Sequence, residues 1–204
     1  MALKKEGPQP VKFWTPLRLV CTLIVLGLVA AFAASSCNSN DPTSKAPPAE
    51  TAMLAVPAVV LDTEMKSTNG QPIKLSNYSG KVLLVNLWAT WCGPCRRETP
   101  ELVRLHKEYR DRGVEMVALS TEDPIRSAQS VQNFVQQYQV DYPVGWATRD
   151  VAIALMQLTG QSSIPQSFII TRDGRIKKQF IGFHPIQTPP LLKQAIEEAL
   201  TDNG

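Results

Sequence analysis

The segment Val82–Cys95, VLLVNLWATWCGPC, constrains this chain more than any other. The nearly unbroken apolar run Val82–Trp88 reads as a strand buried on both faces. The stretch Pro94–Arg112 reads as a helix, with Leu102, Leu105 and Tyr109 on one face and Gly113 closing it. Between them lies Trp91-Cys92-Gly93-Pro94-Cys95. A strand that runs into a helix across two cysteines sets a dithiol at a helix N-terminus. Unpaired N–H groups and the helix dipole favour a thiolate there. Cys92 is therefore the predicted nucleophile, exposed and acidified from the free-thiol pKa of about 8.5. Cys95, about one turn further on, is the predicted shielded partner. Pro94 falls near the first turn, where its missing N–H costs little. The pattern is that of a pair that exchanges dithiol for disulfide.

Two other readings of the cysteines are weaker. A structural zinc site needs four ligands. The chain has two further cysteines, Cys21 and Cys37, both in the leader, and two histidines, His106 and His184, not spaced as a ligand pair. A thiol peroxidase would carry Pro-x-x-x-Thr/Ser-x-x-Cys, and Val85 stands where the proline would be. Since Cys92 and Cys95 close almost no loop, a disulfide scaffold is excluded.

Residues 1–36 hold four basic residues against Glu6, and the remainder balances 17 basic with 17 acidic residues. No basic stripe exists, which argues against nucleic-acid binding. The uncharged run Leu19–Ala34 follows the basic start. Sixteen residues make a helix of roughly 24 Å, marginal for a bilayer core of about 30 Å. A positive flank, a short apolar core and small residues describe an export signal. Three versions stay open: lipidation at Cys37, an uncleaved anchor, or cleavage after Ala33. All three deliver the domain outside the cytoplasm, with the positive N-terminus inside, and the first two hold it at the membrane. Cys21, within the apolar run, reads as a small buried hydrophobe.

The chain thus divides into an export signal or anchor (1–37), a Pro/Ser/Ala/Thr-rich linker (38–56) and a folded domain (57–201). In the domain, Val59–Leu61 and Ile73–Leu75 read as strands joined through Asn69-Gly70. Val114–Ser120 and Val144–Trp146 read as further strands. Ser127–Tyr138, Asp150–Thr159 and Leu191–Leu200 read as helices. Ser167–Thr171 and Ile176–Ile181 flank Asp173-Gly174, a hairpin signal. The alternation predicts an α/β sandwich around a mixed sheet.

VLLVNLWATWCGPCRRETP at 82–100, SIPQSFIITRDGRI at 163–176 and the extra Ser127–Tyr138 helix with its strand resemble the thioredoxin superfamily. More narrowly, they resemble the membrane-tethered TlpA/ResA-type thiol–disulfide oxidoreductases over residues 57–201. The resemblance implies a three-layer sandwich with an N-terminal β-extension and an inserted helix and strand. It implies that Pro165 is a cis-proline against the dithiol, leaving the Ile164 backbone free to pair with a substrate peptide. Trp91, Gly93 and Pro94 would line the same contact. Glu98, three residues after Cys95, would be its acid/base. Thioredoxins carry a buried Asp where this chain has Asn86, which leaves Glu98 as the proton carrier. Trp88 reads as rim or core, His106 as surface and His184 as a loop residue near the substrate. The implied work is reduction of protein disulfides, such as those of apocytochrome c, with an integral-membrane thiol donor and no organic cofactor or metal. An oxidant or isomerase, a tethered peptide-binding module and a peroxiredoxin-related antioxidant are the alternatives.

Overall fold

The computed structural model describes residues 53–202. Its elements run α1 (Ala58–Asp62), β1 (Met65–Lys66), β2 (Pro72–Ile73), β3 (Val82–Trp88), α2 (Gly93–Tyr109), β4 (Val114–Ser120) and α3 (Ala128–Gln137). Then follow β5 (Val144–Trp146), α4 (Arg149–Thr159), β6 (Gln166–Ile170), β7 (Ile176–Ile181) and α5 (Thr188–Thr201). Five strands form one sheet in the order β5-β4-β3-β6-β7. β4 pairs in parallel with β3 and β5, while β6 pairs antiparallel with β3 and β7. This is the expected mixed-sheet, thioredoxin-like sandwich.

Every residue of β3 is buried, as a central strand covered on both faces must be. Strand alternation sends Val82, Leu84 and Trp88 into a core built with Leu102, Leu105 and Tyr109 of α2, Phe134 of α3 and Leu192 and Ile196 of α5. Leu83, Val85 and Leu87 enter the opposite core, with Val151 and Leu155 of α4, Val60 of α1 and Met65 of β1. Asn86 shares the α2 side of the sheet, which places a polar residue beside the helix that carries the cysteines.

Helix α2 begins where the motif predicts and ends at Tyr109, followed by a 3-10 turn at Arg110–Arg112. Gly113 closes it with a left-handed φ of 84°. The predicted strand over Val59–Leu61 is instead part of α1. The Pro57 carbonyl accepts from the amides of Val60 and Leu61, which closes a helical turn. An apolar run this short fits either element. The hairpin around Asn69-Gly70 joins β1 to β2, two residues each, and Leu75 opens a 3-10 turn rather than extending a strand. Ordered pairing also begins before Pro57. Ile176 N–H donates to Leu54 O at 2.8 Å, Val56 N–H donates to Gly174 O at 3.0 Å, and Val56 is buried. The last residues assigned to the linker thus belong to the sheet.

Among the described residues no helix is long and apolar enough to cross a membrane. The apolar run Leu19–Ala34, with Cys21 and Cys37, lies outside the described residues, as does most of the predicted linker.

Candidate active site

Cys92 is the N-cap of α2, and Cys95 lies in its first turn. The two are joined by a disulfide, S–S 2.03 Å. The Cys95 amide donates to Cys92 Sγ at 3.2 Å. One of the otherwise unpaired N–H groups of the helix start is therefore aimed at the sulfur that would carry charge. Gly93 is exposed and Pro94 half-buried at the helix start. The expected contrast in exposure between the cysteines is slight: Cys92 is 4% exposed and Cys95 1%. With the disulfide closed, Cys92 Sγ is turned inward against Cys95 and the Ile164 carbonyl rather than outward.

The Ile164–Pro165 peptide is cis. Ile164 O lies 3.6 Å from Cys92 Sγ. In the oxidised pair this is a contact, since neither sulfur holds a proton. Pro165 is buried and Ile164 half-buried. Gln166, wholly buried, holds the loop that presents them. Its amide donates to Gln161 O and Ser163 O, both at 2.8 Å, and accepts from the Thr159 hydroxyl at 3.1 Å. Trp91 stands out at 70% exposure beside the disulfide. Trp88 is core, not rim: it is buried, with its ring centroid 4.4 Å from that of Phe134.

Glu98 is 1% exposed. Asn86 Nδ2 donates to Glu98 Oε2 at 3.0 Å and to Ser167 Oγ at 2.9 Å. The Ser167 hydroxyl donates to Glu98 Oε1 at 3.0 Å. Burial raises the Glu98 pKa from 4.5 to about 7, against the lowering effect of the bonds from Ser167 and Asn86. A carboxyl group balanced near neutrality, one turn beyond Cys95, suits proton exchange with a thiol.

Sequence reasoning missed three residues here. Ser167 reaches Glu98 because β3 and β6 pair Asn86 directly with Ser167. Gln166 supports the cis-proline loop. Glu122, two residues past β4, accepts from Thr90 N–H and the Thr90 hydroxyl, both at 2.7 Å, and so holds the loop that leads into Trp91. The only signal for the first two was their place directly after Pro165. His106 is not on the surface: it is buried, with Nδ1 2.9 Å from Asp141 Oδ1 and its ring edge-on to Tyr142. His184 is exposed and accepts from the amides of Ile186 and Gln187 ahead of α5. Its loop adjoins the cis-proline, since Gly182 N–H donates to Pro165 O at 2.8 Å.

Comparison with known proteins agrees with this geometry. The chain is 36% identical over 124 residues to the thiol-disulfide oxidoreductase ResA of Bacillus thuringiensis (strain Al Hakam). That match covers 61% of this chain and 65% of the relative, just under two thirds of its length. A ResA of Geobacillus thermodenitrificans (strain NG80-2) is 28% identical over 180 residues, 88% of this chain and 95% of that protein. Among solved structures, a thiol:disulfide interchange protein of the thioredoxin family from Chlorobium tepidum TLS superposes with TM-score 0.63 at 26% identity. It covers 74% of this chain and 99% of that one. The predicted resemblance to ResA-type proteins is thus a homology. Three residues before Cys92 stands Ala89, which has no hydroxyl, and Val85 is seven before it, so the peroxidase pattern is missing. Residues 56–179 match the AhpC/TSA family, and with more than half of its length so matched, the chain belongs to that family.

Proposed function

We propose that the protein is a thiol–disulfide oxidoreductase that reduces disulfides in other proteins outside the cytoplasm. The observation that carries this reading is the Cys92–Cys95 disulfide capping α2, with Ile164 O of the cis peptide 3.6 Å from Cys92 Sγ. In the reduced protein, the Cys92 thiolate attacks a substrate disulfide. A bond forms between Cys92 Sγ and one substrate sulfur, and the other leaves as a thiolate and takes a proton. The Cys95 thiol then gives its proton to Glu98 and attacks Cys92 Sγ. This breaks the mixed disulfide and releases the substrate as a dithiol. The protein is left oxidised, the form described here, and a membrane thiol donor returns its two electrons. Ile164, half-buried beside Cys92, offers backbone to an extended peptide, and Trp91 stands exposed next to the nucleophile in the chain.

The basic start, the apolar run Leu19–Ala34 and Cys37 after small residues support export and anchoring at the membrane. The relatives, named thiol-disulfide oxidoreductases, support thiol–disulfide exchange; the resemblance to TlpA/ResA-type proteins implies the reductive direction, with apocytochrome c as a candidate substrate. Expression of the full chain with Cys95→Ser tests the reading. This variant should accumulate mixed disulfides through Cys92 in the membrane fraction, sensitive to reductant, and their mass identifies the substrates. Cys92→Ser should accumulate none. Equal trapping by both variants, or adducts confined to the cytoplasm, would overturn the proposal.

A further inference from the structure

Asn86, Glu98 and Ser167 form a closed ring of three hydrogen bonds, 2.9 to 3.0 Å long, in the core below the disulfide. All three residues are more than nine-tenths buried. The donors in this ring run one way. Both Asn86 Nδ2 hydrogens are used, one on Glu98 Oε2 and one on Ser167 Oγ. The Ser167 hydrogen lies on Glu98 Oε1. The carboxyl group only accepts, so the ring is complete when Glu98 is ionised. A proton on Oε2 would face the Asn86 N–H, donor against donor. A proton on Oε1 requires the Ser167 hydroxyl to turn away and accept instead, which a hydroxyl does by rotating one bond.

Glu98 makes no ion pair among the described residues. The titratable groups around it are Cys95 on its own helix and Tyr142 ahead of β5, whose pKa is pushed up by burial first and then by the Glu98 and Asp141 charges. β3 and β6 bring Asn86 and Ser167. α5 turns Leu192, Ala195, Ile196 and Ala199 to this core, none of them charged.

We infer that Asn86 and Ser167 are positioning residues of the redox centre: they orient the Glu98 carboxylate and hold it in its ionised form. The inference rests on the proposed role of Glu98 as proton carrier. It adds a division of labour. Asn86 fixes Oε2 as an acceptor, and Ser167 is the rotatable member that lets Oε1 gain and lose a proton.

The test uses the full-length protein in its oxidised form, where Cys95 cannot titrate alongside Glu98. The Glu98 carboxyl carbon is followed by NMR against pH, assigned by its loss in Glu98→Gln. Ser167→Ala removes one hydrogen bond to the charged form, and the Glu98 midpoint should rise by about one pH unit. Ser167→Thr restores the hydroxyl and should restore the midpoint. Asn86→Asp sets a second carboxyl group against Glu98, and the pair should share a proton, with one apparent midpoint well above that of the wild type. The pH profile for resolution of a mixed disulfide should follow. In Ser167→Ala it should slow up to about tenfold below neutral pH and recover as pH rises, because only the ionised fraction of Glu98 changes. A uniform slowing at all pH values would mean a merely structural role and overturn the inference. So would an unmoved Glu98 midpoint in both Ser167→Ala and Asn86→Asp, whatever Glu98→Gln does to the rate. A resolution profile indifferent to Glu98→Gln refutes the proton-carrier reading by itself, separately from the NMR midpoints.

Discussion

A carboxyl group 1% exposed, with no cation beside it, puts a pH dependence into the stability of this domain. The Glu98 pKa is about 7 in the folded protein against 4.5 in the open chain. Between those values the folded state keeps a proton that the unfolded state has released. The contribution of Glu98 to stability is therefore most favourable below about pH 4.5 and falls as pH rises to about 7, by a total on the order of 3 kcal/mol. Glu98→Gln cannot ionise. Oxidised Glu98→Gln, unfolded with denaturant, should lack this decline and exceed the wild type at pH 8 by about 1–3 kcal/mol. Parallel stability curves for the two would show that Glu98 is not the buried titrating group described here. At this scale the sequence was legible where chemistry is local: Cys92, Cys95 and Glu98 fall within seven consecutive residues. Ser167 was not legible, because 81 residues separate it from Asn86 and only the β3–β6 register joins them. His106 was misread because its neighbours in sequence are charged. Its place at helical spacing from Leu102 and Tyr109 puts it on the buried face of α2, where Asp141 and Tyr142 meet it.

The central elements could be read from apolar runs bounded by turn residues and, in the helices, from apolar residues at helical spacing. β3, β4, β5 and β7 fall where the apolar runs predict them, and α2 to α5 within a few residues. The margin before β3 could not be read so well. β1 and β2 have two residues each and no period of their own; they are held by what they touch. Ser67 bridges to Gly145, and Thr68 N–H donates to Val144 O at 2.8 Å, so the β-extension is fastened to the edge strand β5. Gly145 permits that approach. A Cβ there would lie 2.8 Å from Ile73 Cδ1 and 3.1 Å from Lys66 O. The backbone oxygen cannot give way as a flexible side chain can. Gly145→Ala should cost about 1–3 kcal/mol and loosen amide-exchange protection over 65–73, while Cys92 keeps its reactivity. Undiminished stability in this variant would mean that the extension is not packed on β5 as described.

On the scale of the whole molecule, the dithiol and the point of chain entry lie at opposite ends of the sheet. β6 starts beside the cis-proline and ends at Ile170, roughly 16 Å away at 3.3 Å per residue. Leu54 and Val56 pair beyond that far end, with Gly174 and Ile176. Leu54 and Val56, near the start of the described residues, thus join the sheet at the end remote from Cys92, while Trp91 stands exposed beside the disulfide. The account as a whole rests on Cys92 attacking a disulfide and Cys95 resolving the adduct. A single-turnover reaction of the reduced full-length protein with a disulfide-bonded peptide, quenched with acid and read by mass spectrometry, tests this directly. The wild type should yield one reduced peptide per Cys92–Cys95 disulfide formed. Cys95→Ser should stop at a peptide adduct on Cys92, and Cys92→Ser should form no adduct on that timescale. An adduct on Cys95 formed as fast as one on Cys92, or a reduced protein that ignores the peptide and reacts rapidly with hydrogen peroxide, would contradict the account.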